Sequence, residues 1–302
     1  MRISTLLPLC FWLGSAWGQA QRLTPQFSLT YAHFATRPIV DILGSSRLAG
    51  TSIGHSLLSL RGGGALVKRE NTRLAIFGEV SQYFMRYQDW PSNVDTGERP
   101  GNLLDLQVRL EFSQALGKGW HLAAAVWPGL AAETSDGLPD RAWVFQGAAQ
   151  VQKFFGSEER LWLGLGLSYH TLLGEPMLWP TLDVYAENKA KNFYLDIQFP
   201  FSGEVAYLPV AKLKLGLTGQ ISGQRFGFEG GGAETFRVNT TFGGAFLAYH
   251  IAARFWVQLE GGLLLNRTYE AYNAQDRNVL DMDPDKLEPF FLKLSFRQLL
   301  KW

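Results

Sequence analysis

Apolar and polar residues alternate with a period of two along most of this chain, in blocks of roughly ten residues parted by turn-forming segments. In the clearest block Leu104, Leu106, Val108, Leu110 and Phe112 share one face, while Asp105, Gln107, Arg109, Glu111 and Ser113 share the other. A helix would scatter that set around its surface. A strand, whose side chains point alternately to opposite faces, gathers it into one oily row and one wet row. The pattern recurs at Leu161, Leu163, Leu165, Leu167 and Tyr169, at Phe193, Leu195, Ile197 and Phe199, and at Leu213, Leu215 and Leu217. It recurs again at Phe255, Val257, Leu259, Leu263 and Leu265, and at Phe290, Leu292, Leu294 and Phe296. Weaker segments at 27–34, 53–61, 74–87, 120–130, 143–154, 178–187, 204–208 and 236–250 bring the count to fourteen strands, or twelve if 53–61 and 204–208 are loops.

Connection lengths sharpen the reading. Short turns fall near 116–119, 156–159, 188–191, 209–211 and 251–253, and longer loops near 35–52, 88–101, 131–141, 223–235 and 271–286. Loops that sort by length predict an all-β, transmembrane, antiparallel up-and-down barrel with short turns at one rim and long loops at the other. The exceptions are 62–71, long for a short-turn rim, and the brief connections near 172–177 and 201–203. A soluble sandwich also alternates, but its strands average about 5–6 residues. In a bilayer, closure is obligatory, because each backbone donor and acceptor must find an internal partner. Tyr83, Tyr87, Trp90, Trp127, Trp143, Trp179, Tyr269 and Tyr272 fall near strand ends, where a headgroup-level aromatic belt is expected. Trp302 ends the chain in phase with the last apolar row, as suits recognition by an outer-membrane assembly machinery.

The first residues, MRISTLLPLCFWLGSAWGQA, carry one charge at Arg2, a short apolar stretch and small residues at Ala16 and Gly18. They read as a secretory signal peptide, 1–18 with cleavage at 20 as the alternative, followed by a barrel over 19–302. The apolar core is too short to span about 30 Å of hydrocarbon as an anchor. The only cysteine, Cys10, lies inside the leader behind Pro8 and Leu9, which disfavours lipidation and leaves a mature chain without disulfides or thiolate chemistry. Of 28 basic and 27 acidic residues, the leader removes Arg2, so the remainder is balanced and carries no electrostatic footprint for nucleic acid. Beyond the leader the longest uncharged stretch is 238–253, 16 residues broken by two Thr, two Gly and His250, so no transmembrane helix is encoded.

The chain resembles a family of outer-membrane β-barrel proteins known only as a domain of unknown function. The resemblance rests on LGLSYHTLLGEPMLWPTLDVYAENKAKNFYLDIQFPFSGEVAYLPVAKLKLGLTGQ at 163–220, VQLEGG at 257–262 and FFLKLSF at 290–296. It implies fold and a Gram-negative outer-membrane location, with no activity to carry over. Outer-membrane lipid and lipopolysaccharide are the expected surroundings.

Candidate chemistry is sparse. His33, His55, His121, His170 and His250 show no metal-binding spacing, and neither GGG at Gly62 nor GGG at Gly230 leads into a phosphate-binding helix. His55 and Ser56 are neighbours whose side chains take opposite faces of a strand, and no nucleophile-elbow motif occurs, so an enzyme is not expected. Asp281, Asp283 and Asp285 set three carboxylates in one long loop near Glu288, but without the glycine of an EF-hand, so a solvated loop is favoured over a Ca²⁺ site. No cofactor is implied. The informative set is the wet face: Glu79, Asp105, Arg109, Glu111, Asp196, Lys212, Lys214, Arg254, Glu260, Lys293 and Arg297 are expected to face the barrel interior. An Arg or Lys on the lipid face would cost about 2–4 kcal/mol at the midplane. Balanced charge fits either a channel for small solutes or a salt-bridged, non-transporting barrel.

Overall fold

The computed structural model describes residues 25–39, 48, 50–92, 99–134, 139–155, 160–171, 174–230, 232–252, 254–282 and 290–299. The leader with Cys10, and Asp283, Asp285, Glu288 and Trp302, lie outside them. The strands are β1 (Pro25–Pro38), β2 (Ser52–Lys68), β3 (Thr72–Gln88), β4 (Leu103–Gly117), β5 (Trp120–Glu133), β6 (Trp143–Phe155), β7 (Leu161–His170) and β8 (Met177–Glu187). They continue as β9 (Phe193–Phe199), β10 (Ser202–Val210), β11 (Leu213–Gly230), β12 (Ala233–Ala252), β13 (Phe255–Tyr272), β14 (Asn278–Asp281) and β15 (Phe290–Leu299). Each strand from β2 to β13 pairs antiparallel with its predecessor, and β15 pairs with both β13 and β1. The result is a closed antiparallel ring of fourteen strands, with β14 a short addition to the far end of β13.

Closure leaves no long edge of unpaired backbone, and the alternation then sorts the side chains. Leu163, Leu165 and Leu167 on β7, Leu215 and Leu217 on β11, and Leu292 and Leu294 on β15 point outward, Leu165 being 67% exposed. Their neighbours turn inward. At the β4–β5 turn both Lys118 (φ 50°) and Gly119 (φ 74°) are left-handed, the backbone that a two-residue hairpin turn requires.

Three stretches read as loops are strand instead. β2 runs on through Gly62, Gly63 and Gly64 to Lys68, leaving only 69–71 as the turn. A Cβ on Gly63 would sit 2.1 Å from the Ile76 carbonyl oxygen, so glycine here permits close strand approach rather than a turn. β11 and β12 extend to Gly230 and Ala233, so the loop expected over 223–235 is a tall hairpin. β14 occupies part of the loop expected over 271–286.

Strand height varies around the ring. β2, β3, β11, β12 and β13 have 17, 17, 18, 20 and 18 residues, whereas β7 to β10 have 10, 11, 7 and 9. Above this low wall, the β11–β12 hairpin leans across and Gly227 of β11 pairs in parallel with Ala132 of β5. A Cβ on Gly227 would lie 2.6 Å from the Pro139 ring and 2.9 Å from the Ala142 nitrogen, so the approach demands glycine. The long-loop end is therefore a narrower ring of β1–β5 and β11–β13. Its remaining gap, between β13 and β1 above the first residue of β15, is spanned by Arg267, which donates to the carbonyls of Ala35 (2.8 Å) and Ile53 (3.5 Å).

A barrel of about eight strands has an interior that side chains can fill, and this narrowed end is filled. Phe226, Phe228, Phe236, Val238, Tyr269, Ile53, Leu103 and Met282 are buried there with Ile39 and Leu48, and Tyr83, Met85, Tyr87 and Trp90 pack against them. Tyr83, Trp127 and Tyr269 thus belong to the barrel interior rather than to a headgroup belt, while Trp143, at 77% exposure, does face outward. Near the cap, a shift of register in β13 between the Thr241 and Phe242 pairings leaves Leu265 and Asn266 both exposed and turns Arg267 and Tyr269 inward.

Candidate functional site: a blind lumenal cavity

Below the apolar cap the interior holds a cavity of about 660 Å³. Arg73, Ser113 and Phe154 line it near the short-turn rim, and Tyr83, Gln224 and Val238 line it directly under the cap. It follows the barrel axis and stops beneath Phe226 and Phe236.

Of the eleven charged residues expected to face inward, Glu79, Asp105, Arg109 and Glu111 line the cavity and form one wall with Arg61 and Arg73. This wall neutralises itself. Arg109 Nε lies 2.9 Å and Arg61 Nη2 3.7 Å from Glu111 Oε1. Ser59 and Ser81 donate to Glu79 Oε1 at 3.1 and 3.4 Å, and Gln107 Nε2 donates to both Asp105 oxygens at 2.8 and 3.1 Å. The Arg109 guanidinium stands 4.8 Å from the Trp127 ring centre, and that of Arg61 4.9 Å from the Phe77 ring centre.

A second group, Asp196, Lys214, Glu260, Lys293 and Arg297, shares the inner face but does not line the cavity; around it the inner face is packed by apolar clusters about Phe242 and Phe291 and about Ala206 and Phe246. Lys293 Nζ is 3.2 Å from Glu260 Oε2, and Lys214 Nζ is 3.5 Å from Glu204 Oε1. Phe242, Phe246, Phe291 and Trp256 fill the space between these pairs, and Lys214 lies against the rings of Tyr194, Phe246 and Trp256. These inward aromatics account for the uncharged run 238–253: β12 buries apolar groups on its inner face while Leu247 and Tyr249 occupy the outer one. Lys212 and Arg254 depart from the expectation. Both sit in turns at the short-turn rim and are exposed, because the strands they were read with begin one residue later, at Leu213 and Phe255.

The wall facing the charged strands, from β6 to β11, carries the carboxylate of Asp183 and is otherwise neutral and amide-rich. Gln146, Gln150, Gln152, Gln198, Gln220 and Gln224 line it, with hydroxyls of Ser168, Thr181, Ser202 and Ser222. At its top a buried relay crosses the low wall: Trp127 Nε1 donates to Gln146 Oε1 (2.5 Å), Gln146 Nε2 to Thr171 Oγ1 (3.0 Å), and Thr171 Oγ1 to Gln224 Oε1 (3.2 Å). These glutamines alternate in the sequence in the same phase as the charges, which was the available signal.

Outside the barrel, Ser56 Oγ lies 3.2 Å from His33 Nδ1 and accepts from Tyr31 Oη at 3.3 Å. The charged group beside this pair is Arg86, which donates to the carbonyls of Phe34 and His55. His55 itself turns inward, with its Nδ1 2.6 Å from Tyr269 Oη. Among the described residues no group of three metal-ligating side chains converges, and Asp281 sits in β14 opposite Glu270.

A family model described as a domain of unknown function, DUF6268, matches residues 68–297. No curated protein matches the chain in sequence. Among solved structures, the COG4313 outer membrane channel of Pseudomonas putida F1 is similar over 93% of this chain and 97% of its own, at 11% identity and a TM-score of 0.46. Outer membrane phospholipase A of Escherichia coli is similar over 93% of this chain and 100% of its own, at 10% identity and a TM-score of 0.36. The corresponding Salmonella typhi phospholipase, solved as a calcium-bound dimer, shows 9% identity and a TM-score of 0.36 over 94% and 96% of the two chains.

Proposed function

The chain belongs to the DUF6268 family of domains of unknown function, and we propose that it is a gated passage for small polar solutes in the bacterial outer membrane. The outward Leu and Phe rows suit hydrocarbon, and each Arg or Lys of the inner rows would cost about 2–4 kcal/mol if turned to lipid at the midplane. By the usual habit of such barrels, the short turns face the periplasm and the long connections face the exterior.

The observation that carries the reading is the cavity's shape: a polar-walled shaft that runs up from the periplasmic rim and ends against an apolar cap. The cap consists of a strand hairpin and connecting segments rather than a separate domain, so the shaft becomes continuous when the β11–β12 tip swings off β5. The apolar clusters about Phe242 and Phe291 and about Ala206 and Phe246, which fill part of the lumen, favour a second reading, a barrel that serves envelope architecture without transport.

Planar-bilayer recordings separate the two. The intact protein should show little steady conductance, and a variant with 226–236 replaced by a short turn should conduct at least tenfold more. A capless variant that folds, judged by heat-dependent gel mobility and a β-type circular dichroism spectrum, yet stays impermeable would leave the architectural reading standing.

A further inference from the structure

Both walls of the cavity hold buried polar atoms without a hydrogen bond, but on the charged wall Arg61 Nη2 and Arg109 Nε lie 3.7 and 2.9 Å from Glu111 Oε1, so it is the neutral groups of the amide wall that speak to the ligand. On the charged wall, Glu79, Asp105 and Glu111 are engaged by protein donors. With Asp183 included, three guanidiniums and four carboxylates line the cavity, so it offers an incoming anion no excess of positive charge. On the amide wall three buried polar atoms have no protein partner: Gln224 Nε2, Ser168 Oγ and His170 Nδ1. Ser168 and Gln224 are 1% and 5% exposed, and all three residues line the cavity just beneath the cap. A buried donor or acceptor without a partner is costly, so such a group is usually matched by water or a ligand.

We infer that this end of the cavity is a binding subsite for an uncharged, hydroxyl-rich solute of sugar size, a reading that rests on the cavity being the solute path. An amide presents one acceptor and two donors, and a hydroxyl both gives and receives, so Gln220 and Gln224 can each engage neighbouring hydroxyls of one ring. The indole of Trp127, held by its hydrogen bond to Gln146 and with the Arg109 guanidinium over its ring, also lines the cavity. A volume of about 660 Å³ lies within the usual range for small-molecule sites. A phosphorylated or carboxylated analogue would have to desolvate its charge against a wall whose guanidiniums are already engaged.

The test is binding to the intact protein in detergent, followed by tryptophan fluorescence and calorimetry, with glucose and sucrose as neutral probes and glucose 6-phosphate and gluconate as anionic ones. The neutral sugars should bind saturably and at least tenfold more tightly than the anions. Gln224→Leu and Ser168→Ala should each weaken sugar binding about three- to tenfold, while Gln258→Leu, on the packed side, should not. Absence of saturable sugar binding, equal binding of the anions, or unchanged affinity in the folded Gln224→Leu and Ser168→Ala proteins overturns the inference. Because no transport is measured, sugar binding with a non-conducting capless variant would sink the passage alone, and conduction without sugar binding would sink the subsite alone.

Discussion

The same two strands do opposite things at their two ends. Midway along β11 and β12 the inward residues are Gln220, Ser222 and Thr240, and a cavity lies beside them. A few residues on they are Phe226, Phe228 and Phe236, all but wholly buried, and no such space remains. Two differences act together. The full ring of fourteen strands is wider than side chains readily fill, whereas the narrowed ring above the low wall is near the size that they do fill. Apolar groups gain by packing against one another, while polar groups that lack partners hold water or ligand instead. A fourteen-stranded barrel with charged inner rows is therefore not by that fact an open pore. Whether it conducts is decided by where its inner rows change from polar to apolar.

The contrast between cap and shaft can be broken most severely at the cap's centre. Phe236→Ala should remove about 3–5 kcal/mol of packing, lowering the urea midpoint of unfolding and exposing the β11–β12 tip to protease, while the β6–β7 hairpin keeps its protection. An equal loss of protection throughout the barrel would show that cap and shaft are one cooperative unit.

Gly227→Val tests the contact that narrows the ring. Its added side chain meets Pro139 and Ala142, so the tip should be displaced at a cost of about 1–3 kcal/mol. Hydrogen exchange at Phe226 and Phe236 should quicken, and bilayer conductance should rise. Unchanged exchange there would mean that β11 reaches β5 without needing glycine.

The smallest effect belongs to Arg141 on the exposed surface of the cap. Its guanidinium joins the β5–β6 connection to Glu234 at 2.9 Å, to Asp276 at 3.2 Å and to the Ala274 carbonyl at 2.7 Å, bridging three segments of the rim. Exposed ion pairs contribute about 0–1 kcal/mol and are screened by salt. Arg141→Ala should therefore loosen the tip slightly at low ionic strength and indistinguishably from the parent in concentrated salt. A salt-independent change would point to lost packing instead.

The sequence was most legible where one residue's fate depended only on its strand. Leu104 through Ser113 and Leu161 through His170 sort in or out by parity, so fourteen strands and the facing of Glu79, Asp105, Arg109 and Glu111 follow from local pattern. Legibility failed at boundaries and at glycines. Lys212 and Arg254 continued an alternation into turns, where parity has no meaning. Gly62 to Gly64 read locally as connection, although glycine also serves where strands approach closely, and nothing local separates the two uses.

By itself, then, the chain determined a cylinder with grease outside and charge inside, because a period of two is a property of each strand alone. The tertiary structure alone decided that the cylinder narrows over its short strands, that Phe226 and Phe236 meet Tyr269 at its mouth, and that charged and amide walls face one another across a blind shaft. Those outcomes depend on which strands lie opposite each other across the ring, a distance that no local spacing encodes.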